Sequence, residues 1–416
     1  MKAHGTINAA LHNNLTLTLS LGVAIVLLVA GVAKAASPGA APDSTWVLRH
    51  WTPPQPTFDL TALQKLATSG QTIPFWTGTI TSPLDKRTYA LAMVGSDPGA
   101  KTKTQTTVTY VPIALRIDFG NGVVLDPADR LDCTSAGVAD TISASQRFFN
   151  SPLFVPVPLK SNGQDLSAGT IPKATGVQLL NGFQRAEFWS QVRNTSYGVA
   201  LQPSSVSPIT VTVSAPKGSV VSSQTVRCGN AQLTTSVGQI DVYAFDSLIQ
   251  QIATKYAKPN QLPIVLTRNV LGTFDGQCCI FGFHNAVQTT LGVQTYAVSA
   301  FVDSGLFKGV DDIVLWSREL AEWMDDPFLQ TKVTGAGPFN MTPGWRYIGS
   351  GLGDCQTSLQ VGGPLGGTVY TLPLYGFTYH AQDLVFIDWF YRTPARGTGG
   401  KYAFQSGLSF LQGVCQ

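Results

Sequence analysis

Apolar positions along the chain alternate between two periods, and the elements follow from them. The run Thr106 to Phe119 (TTVTYVPIALRIDF) is β-branched and partly alternating, the pattern of a strand. Gly120-Asn121-Gly122 turns the chain, and Val123 to Leu125 continues it as a hairpin. In Phe183 to Val192, Phe183, Ala186 and Trp189 or Val192 recur at helical spacing. Ile209 to Val213, Ile240 to Tyr243, Pro263 to Leu271 and Thr295 to Val302 read as strands. A helix is expected from Phe245, capped by Asp246 or Ser247, with Leu248, Ile249, Ile252 and Tyr256 as its buried stripe. Another is expected from Ile313 to about Met324, capped by Asp311 or Asp312 and stopped by Pro327. Its apolar face is Ile313, Trp316, Leu320 and Trp323 or Met324. The apolar run Ala381 to Tyr391 predicts a last helix. Strands and helices in these proportions predict an α+β fold, a mixed sheet with packed helices. The Ile313–Met324 helix is expected beneath a sheet formed partly by Pro263–Leu271 and Thr295–Val302.

Composition narrows the class. The chain has 416 residues, 44% of them hydrophobic, so a large core is available. Charged residues are 12% and the net charge is +3, with no basic cluster, which excludes a nucleic-acid partner. Residues 1–35 read as a signal peptide: Lys2 is the positive lead, Leu15 to Ala33 is uncharged, and Ala33-Lys34-Ala35 offers small residues for cleavage. An uncleaved anchor is the alternative. Residues 36–57 are Pro-, Ala- and Ser-rich and read as a flexible lead-in, leaving 58–416 as a single α+β domain with a β-rich first half to about 260. After cleavage no membrane span is expected, and the protein is expected to be secreted or periplasmic.

Six cysteines, Cys133, Cys228, Cys278, Cys279, Cys355 and Cys415, together with export, predict disulfides in one of 15 connectivities. Adjacent Cys278 and Cys279 would point oppositely in a strand and so tie two different neighbours. No C-x-x-C spacing supports a zinc-thiolate site.

The segment that carries chemistry is Arg318-Glu319-Leu320-Ala321-Glu322. A helical H-E-x-x-H places two imidazoles one turn apart on a zinc, with the Glu activating metal-bound water. Here Glu319 keeps the general-base position, Glu322 is a carboxylate able to ligate, and Arg318 stands in the leading His position. Around it run Cys279-Ile280-Phe281-Gly282-Phe283-His284, Tyr296-Ala297-Val298, Asp326-Pro327, Trp345, Cys355 and the apolar Phe377 to Phe390. In order and spacing, over about Gln277 to Tyr391 and more faintly back to Thr106, this resembles the secreted zincin-like proteins related to the plant Exordium (phosphate-induced) family, in particular a bacterial branch. The resemblance implies a zincin-like half over 261–416 and a zinc site on an H-E-x-x-E helix.

The chain departs from that pattern at its ligands. Arg318 replaces the first His, Gln360 in Leu359-Gln360-Val361-Gly362-Gly363-Pro364-Leu365 replaces a Glu, and Tyr347 stands where the branch often has a His. Arginine stays protonated and has no lone pair to donate. Four residues before Glu322, it can pair with that carboxylate where the metal would lie. The expectation is therefore a non-catalytic protein with Glu319 as a relict base and no cofactor, binding a peptide or glycan in a cleft or serving in the envelope. The alternative is an active metallopeptidase holding zinc through Glu322 with His284 or His380, Asp326 being a further candidate. An exposed Arg318–Glu322 pair, structural histidines at 284 and 380, and a tryptophan core of Trp316, Trp323, Trp345 and Trp389 are the plain structural alternatives.

Overall fold

The computed structural model describes residue 51 and residues 58–167, 176–329, 332–333, 336–346, 355–408 and 415. The expected signal segment, the rest of the lead-in and Tyr347 lie outside the described residues. Trp51, from the lead-in, is buried and meets Phe283 and Tyr243 edge-on at 5.1 and 5.8 Å.

The long strand Gln105–Asp118 organises a seven-stranded mixed sheet. Gln261–Arg268 runs parallel to it on one side, and Gly198–Pro203 and Ile209–Ser214 share its other edge, also parallel. Val124–Leu125 turns back antiparallel against its last residues, as the hairpin signal predicts. Beyond Gln261–Arg268 come the parallel Gly292–Phe301 and then the antiparallel edge strand Gly282–Thr289. All ten residues of Gly292–Phe301 are buried, which explains why that stretch lacks a regular alternation of polar and apolar positions. Strands from both halves of the chain thus build one sheet, and the α+β class holds.

A second, four-stranded sheet runs Gln277–Ile280, Val270–Phe274, Ala231–Asp241, Val220–Cys228. The strand expected over Pro263–Leu271 is therefore two strands in two sheets. Asn269 between them takes a left-handed φ of 52° and is held by Asp303, donating to Oδ2 at 2.7 Å and accepting from the Asp303 amide at 3.0 Å.

The helix expected from Phe245 begins earlier, at Val242, and runs to Tyr256. Its cap is Asp241, which accepts from the amides of Tyr243 and Ala244, so the strand before it ends there and Asp246 is inside the helix. Asp246 is instead buried, accepting from Tyr296 and Gln250. Leu248 and Tyr256 are only half-buried; Phe245, Ile249, Ile252 and Ala253 form the covered face. The helix expected over Phe183–Val192 is Leu179–Glu187 followed by the single turn Trp189–Val192. The last helix is also shorter than expected. Phe377–Gln382 is a strand, hairpinned to Val369–Leu374 across Tyr375-Gly376, and only Ile387–Tyr391 is helical. An aromatic run buried on all sides carries no period to separate the two forms.

Cysteine pairing corrects another expectation. Cys133–Cys228 and Cys355–Cys415 bridge distant segments, and Cys278 and Cys279 are bonded to each other rather than to two neighbours. Trp316, Trp323, Trp345 and Trp389 are fully buried, so the tryptophans are core. Asn340 is also fully buried, bonded to Ala92 and Asp326.

Candidate functional site

The segment with catalytic resemblance lies on the helix Val314–Asp325. Ile313 occupies its cap position with no side-chain bond. Asp312 supports the entry by accepting from the Ile313 amide at 2.6 Å. The helix stops at Asp325, two residues before Pro327. It packs against Gly282–Thr289 and Gly292–Phe301 of the large sheet, and Trp323 Nε1 donates to Thr295 Oγ1 at 3.1 Å. Phe377–Gln382, Thr88–Val94 and the helix Leu179–Glu187 also contact it. Every residue from Val314 to Asp325 is buried, including the charged ones, so the exposed-pair alternative for Arg318 and Glu322 does not hold.

Arg318 is 9% exposed and Glu322 2%. Arg318 Nε donates to Glu322 Oε1 at 3.1 Å and lies 3.9 Å from Glu319 Oε1. The same Glu322 oxygen accepts from the amide of Gly362 at 3.2 Å. Gly362 comes so close that a Cβ there would lie 2.4 Å from Arg318 Cγ. The segment holding Gln360, itself buried, therefore closes over the alkyl stem of Arg318, and no residue larger than glycine fits at 362 without displacement. Sequence reasoning named Gln360 but missed Gly362; the Gly362-Gly363 doublet was the available signal.

His284 reaches the same place from the edge strand. Its Nε2 donates to the carbonyl of Asp326 at 3.0 Å, which leaves Nδ1 facing Glu319 Oε2 at 3.8 Å. Burial alone would lower the imidazole pKa, but Glu319 beside it, with Glu322 and Asp326, raises it above the ordinary value. Burial raises the Glu322 carboxyl, opposed by Arg318. The four side chains form a closed group of two bases and two acids.

The remaining candidates are elsewhere. His380 binds Asp312 through Nδ1 at 2.8 Å. The Asp326 carboxylate accepts from Asn340 at 2.6 Å. Neither joins the group. Among the described residues, the candidate ligand atoms that converge are those of His284, Glu319 and Glu322, all within 4.8 Å of one another. A dication at these atoms would share its space with the Arg318 guanidinium. At about 4 Å and an effective dielectric of about 20, two positive charges on the ion against one on the side chain cost several kcal/mol. That repulsion weighs against a dication at these atoms while Arg318 stays in place.

No family model matches the chain, and neither a curated protein nor a solved structure does.

Proposed function

We propose that the chain is an exported zincin-like protein whose metal site is replaced by an internal ion-pair cluster. It acts without catalysis, by binding a peptide or glycan or as a component of the envelope. The observation that carries this reading is the Arg318–Glu322 hydrogen bond of 3.1 Å inside a fully buried helix. A zincin site gathers imidazole and carboxylate ligands around a charge of two. In this chain Arg318 and the raised imidazole of His284 meet Glu319 and Glu322 instead. Three disulfides support an oxidising compartment, and among the described residues no helix is long and apolar enough to cross a membrane.

Metal analysis by inductively coupled plasma mass spectrometry tests the reading. The wild-type chain is expected to carry well under one zinc per molecule and to leave casein intact. Arg318→His combined with Gln360→Glu is expected to take up zinc. Stoichiometric zinc in the wild type, lost in Glu322→Gln, would overturn the proposal and favour the second reading, an active metallopeptidase. That second reading rests on the convergence of His284, Glu319 and Glu322.

A further inference from the structure

Away from the Arg318 helix, a cavity of about 680 Å³ opens between the two-residue hairpin Lys160–Ser161/Gln164–Asp165 and the strand Val369–Leu374. That volume lies within the range of small-molecule sites. One wall is apolar, formed by Tyr370, Leu372 and Pro373 on one side and Pro158 on the other. The Tyr370 ring lies 5.9 Å from that of Phe404, tilted by 52°.

Asp165 and Gln405, both exposed, are each held by hydrogen bonds that leave an acceptor oxygen open. Ser167 donates to Asp165 Oδ1 from its hydroxyl at 2.7 Å and its amide at 3.0 Å. These bonds hold the carboxyl below its usual range, so Asp165 is ionised, and its Oδ2 accepts no protein hydrogen bond among the described residues. Gln405 Nε2 donates to the Lys160 carbonyl at 2.8 Å, which fixes the amide and leaves its Oε1 to accept. Lys160 and the exposed Thr371 add donors.

Lys160 and Asp165 are register partners, so the lining carries one charge of each sign. An anionic ligand would meet the carboxylate and a cationic one the ammonium. A neutral molecule that both donates and accepts along one edge, and has an apolar face for an aromatic ring, satisfies every group. We infer that this cavity is a binding site for a neutral saccharide, its hydroxyls bonded to Asp165, Gln405 and Lys160 and its ring against Tyr370. The site is separate from the Arg318 cluster, and the inference does not rest on that cluster's being non-catalytic.

Titration calorimetry with cellotetraose, maltotetraose and chitotetraose on the full chain tests it, with decaproline as a peptide control. At least one tetrasaccharide is expected to bind. Thr371→Trp, which fills the cavity from an exposed position, is expected to abolish binding with an unchanged thermal midpoint. Asp165→Asn is expected to weaken binding about tenfold, the loss of a charged acceptor. If Thr371→Trp does not fold, Asp165→Asn and Gln405→Ala decide the question. Failure of all three sugars to bind at about 10 mM, binding of decaproline in their place, or saccharide affinity unchanged in the folded variants would each overturn the assignment.

Discussion

Replacing Arg318 by Met keeps most of the alkyl stem and removes the charge, so it isolates what the guanidinium contributes. In the wild type the Arg318 and Glu322 side chains are 10% and 3% exposed, and their contact is 3.1 Å. At an effective dielectric of about 20, two unit charges at that separation interact by about 5 kcal/mol. Breaking a buried pair by deleting one partner costs about 3–5 kcal/mol, because the other charge is left in a closed site. An exposed i,i+4 pair contributes only about 0.3–0.5 kcal/mol. The two cases are therefore separable in urea unfolding followed by tryptophan fluorescence. Arg318→Met is expected to destabilise by about 3–5 kcal/mol at pH 7. Arg318→Met with Glu322→Gln is expected to cost clearly less than the two single losses together, since the double variant leaves no buried charge unmatched. The sign of the pH dependence is also fixed. Arg318 holds the Glu322 carboxyl down against burial, so without it the folded-state pKa rises further. A carboxyl raised in the folded state costs stability that grows as pH climbs from its unfolded value toward its folded one. The deficit of Arg318→Met should therefore shrink on acidification. A loss below about 1 kcal/mol, or strictly additive single variants, would refute the buried-pair argument.

Three further outcomes follow from other parts of the fold. Glu187 is fully buried, and burial first, then Asp388, pushes its carboxyl up to about 8 against the Ile387 amide. Stability should therefore fall as pH rises from about 4.5 toward about 8, and Glu187→Gln, which can still accept from Ile387, should flatten that decline in urea midpoints. Asp303 is fully buried and accepts from the amides of Asp132 and Cys133, from Thr235 and Asn269, and from Arg268 at 3.2 Å. Asp303→Ala should cost about 3–5 kcal/mol by equilibrium unfolding, since it removes a buried acceptor from the Asp132 and Cys133 amides and from Asn269, and leaves Arg268 only the more exposed Asp132 and Asp129. Cys133 and Cys228 are 95 residues apart. Replacing both by Ser should lower stability by about 2–5 kcal/mol in the same assay.

Two elements are predicted well in position although their burial does not follow the period. Thr106–Phe119 is β-branched and partly alternating, and it is the strand Gln105–Asp118, buried without a break over Tyr110–Leu115. The helix over Ile313–Met324 is displaced by one residue at each end. The failures share a cause, in that tertiary partners override local signals. Asp246 resembles a cap, but Tyr296 and Gln250 claim it, and Asp241 caps instead. The apolar stretch before Tyr391 is buried from every side, which erases the difference between strand and helix. At the site, the Arg318–Glu322 contact is legible because i,i+4 spacing alone brings the side chains together. His284 is legible only as one of two candidates beside His380, and the choice between them depends on strand register. The burial of the helix is not legible: Arg318, Glu319, Glu322 and Asp325 resemble a solvated face, and only the packing of a strand, a hairpin and the Gln360–Gly363 segment around them removes the water.

The identity of the cation at 318 follows from the same enclosure. Two carboxylates in one closed space each carry a desolvation cost of several kcal/mol unless positive charge lies beside them. An apolar residue at 318 would leave His284 as the one base, and its Nε2 is already committed to the Asp326 carbonyl. Lysine would bring a compact ammonium, strongly hydrated and prone to lose its proton when buried. Arginine stays charged, and from one position its Nε lies 3.1 Å from Glu322 and 3.9 Å from Glu319. It is therefore the side chain that keeps both acids tolerable while the backbone of Gly362 closes the last approach to Glu322. Lysine at 318 should consequently recover only part of the stability lost in Arg318→Met, although it restores the formal charge.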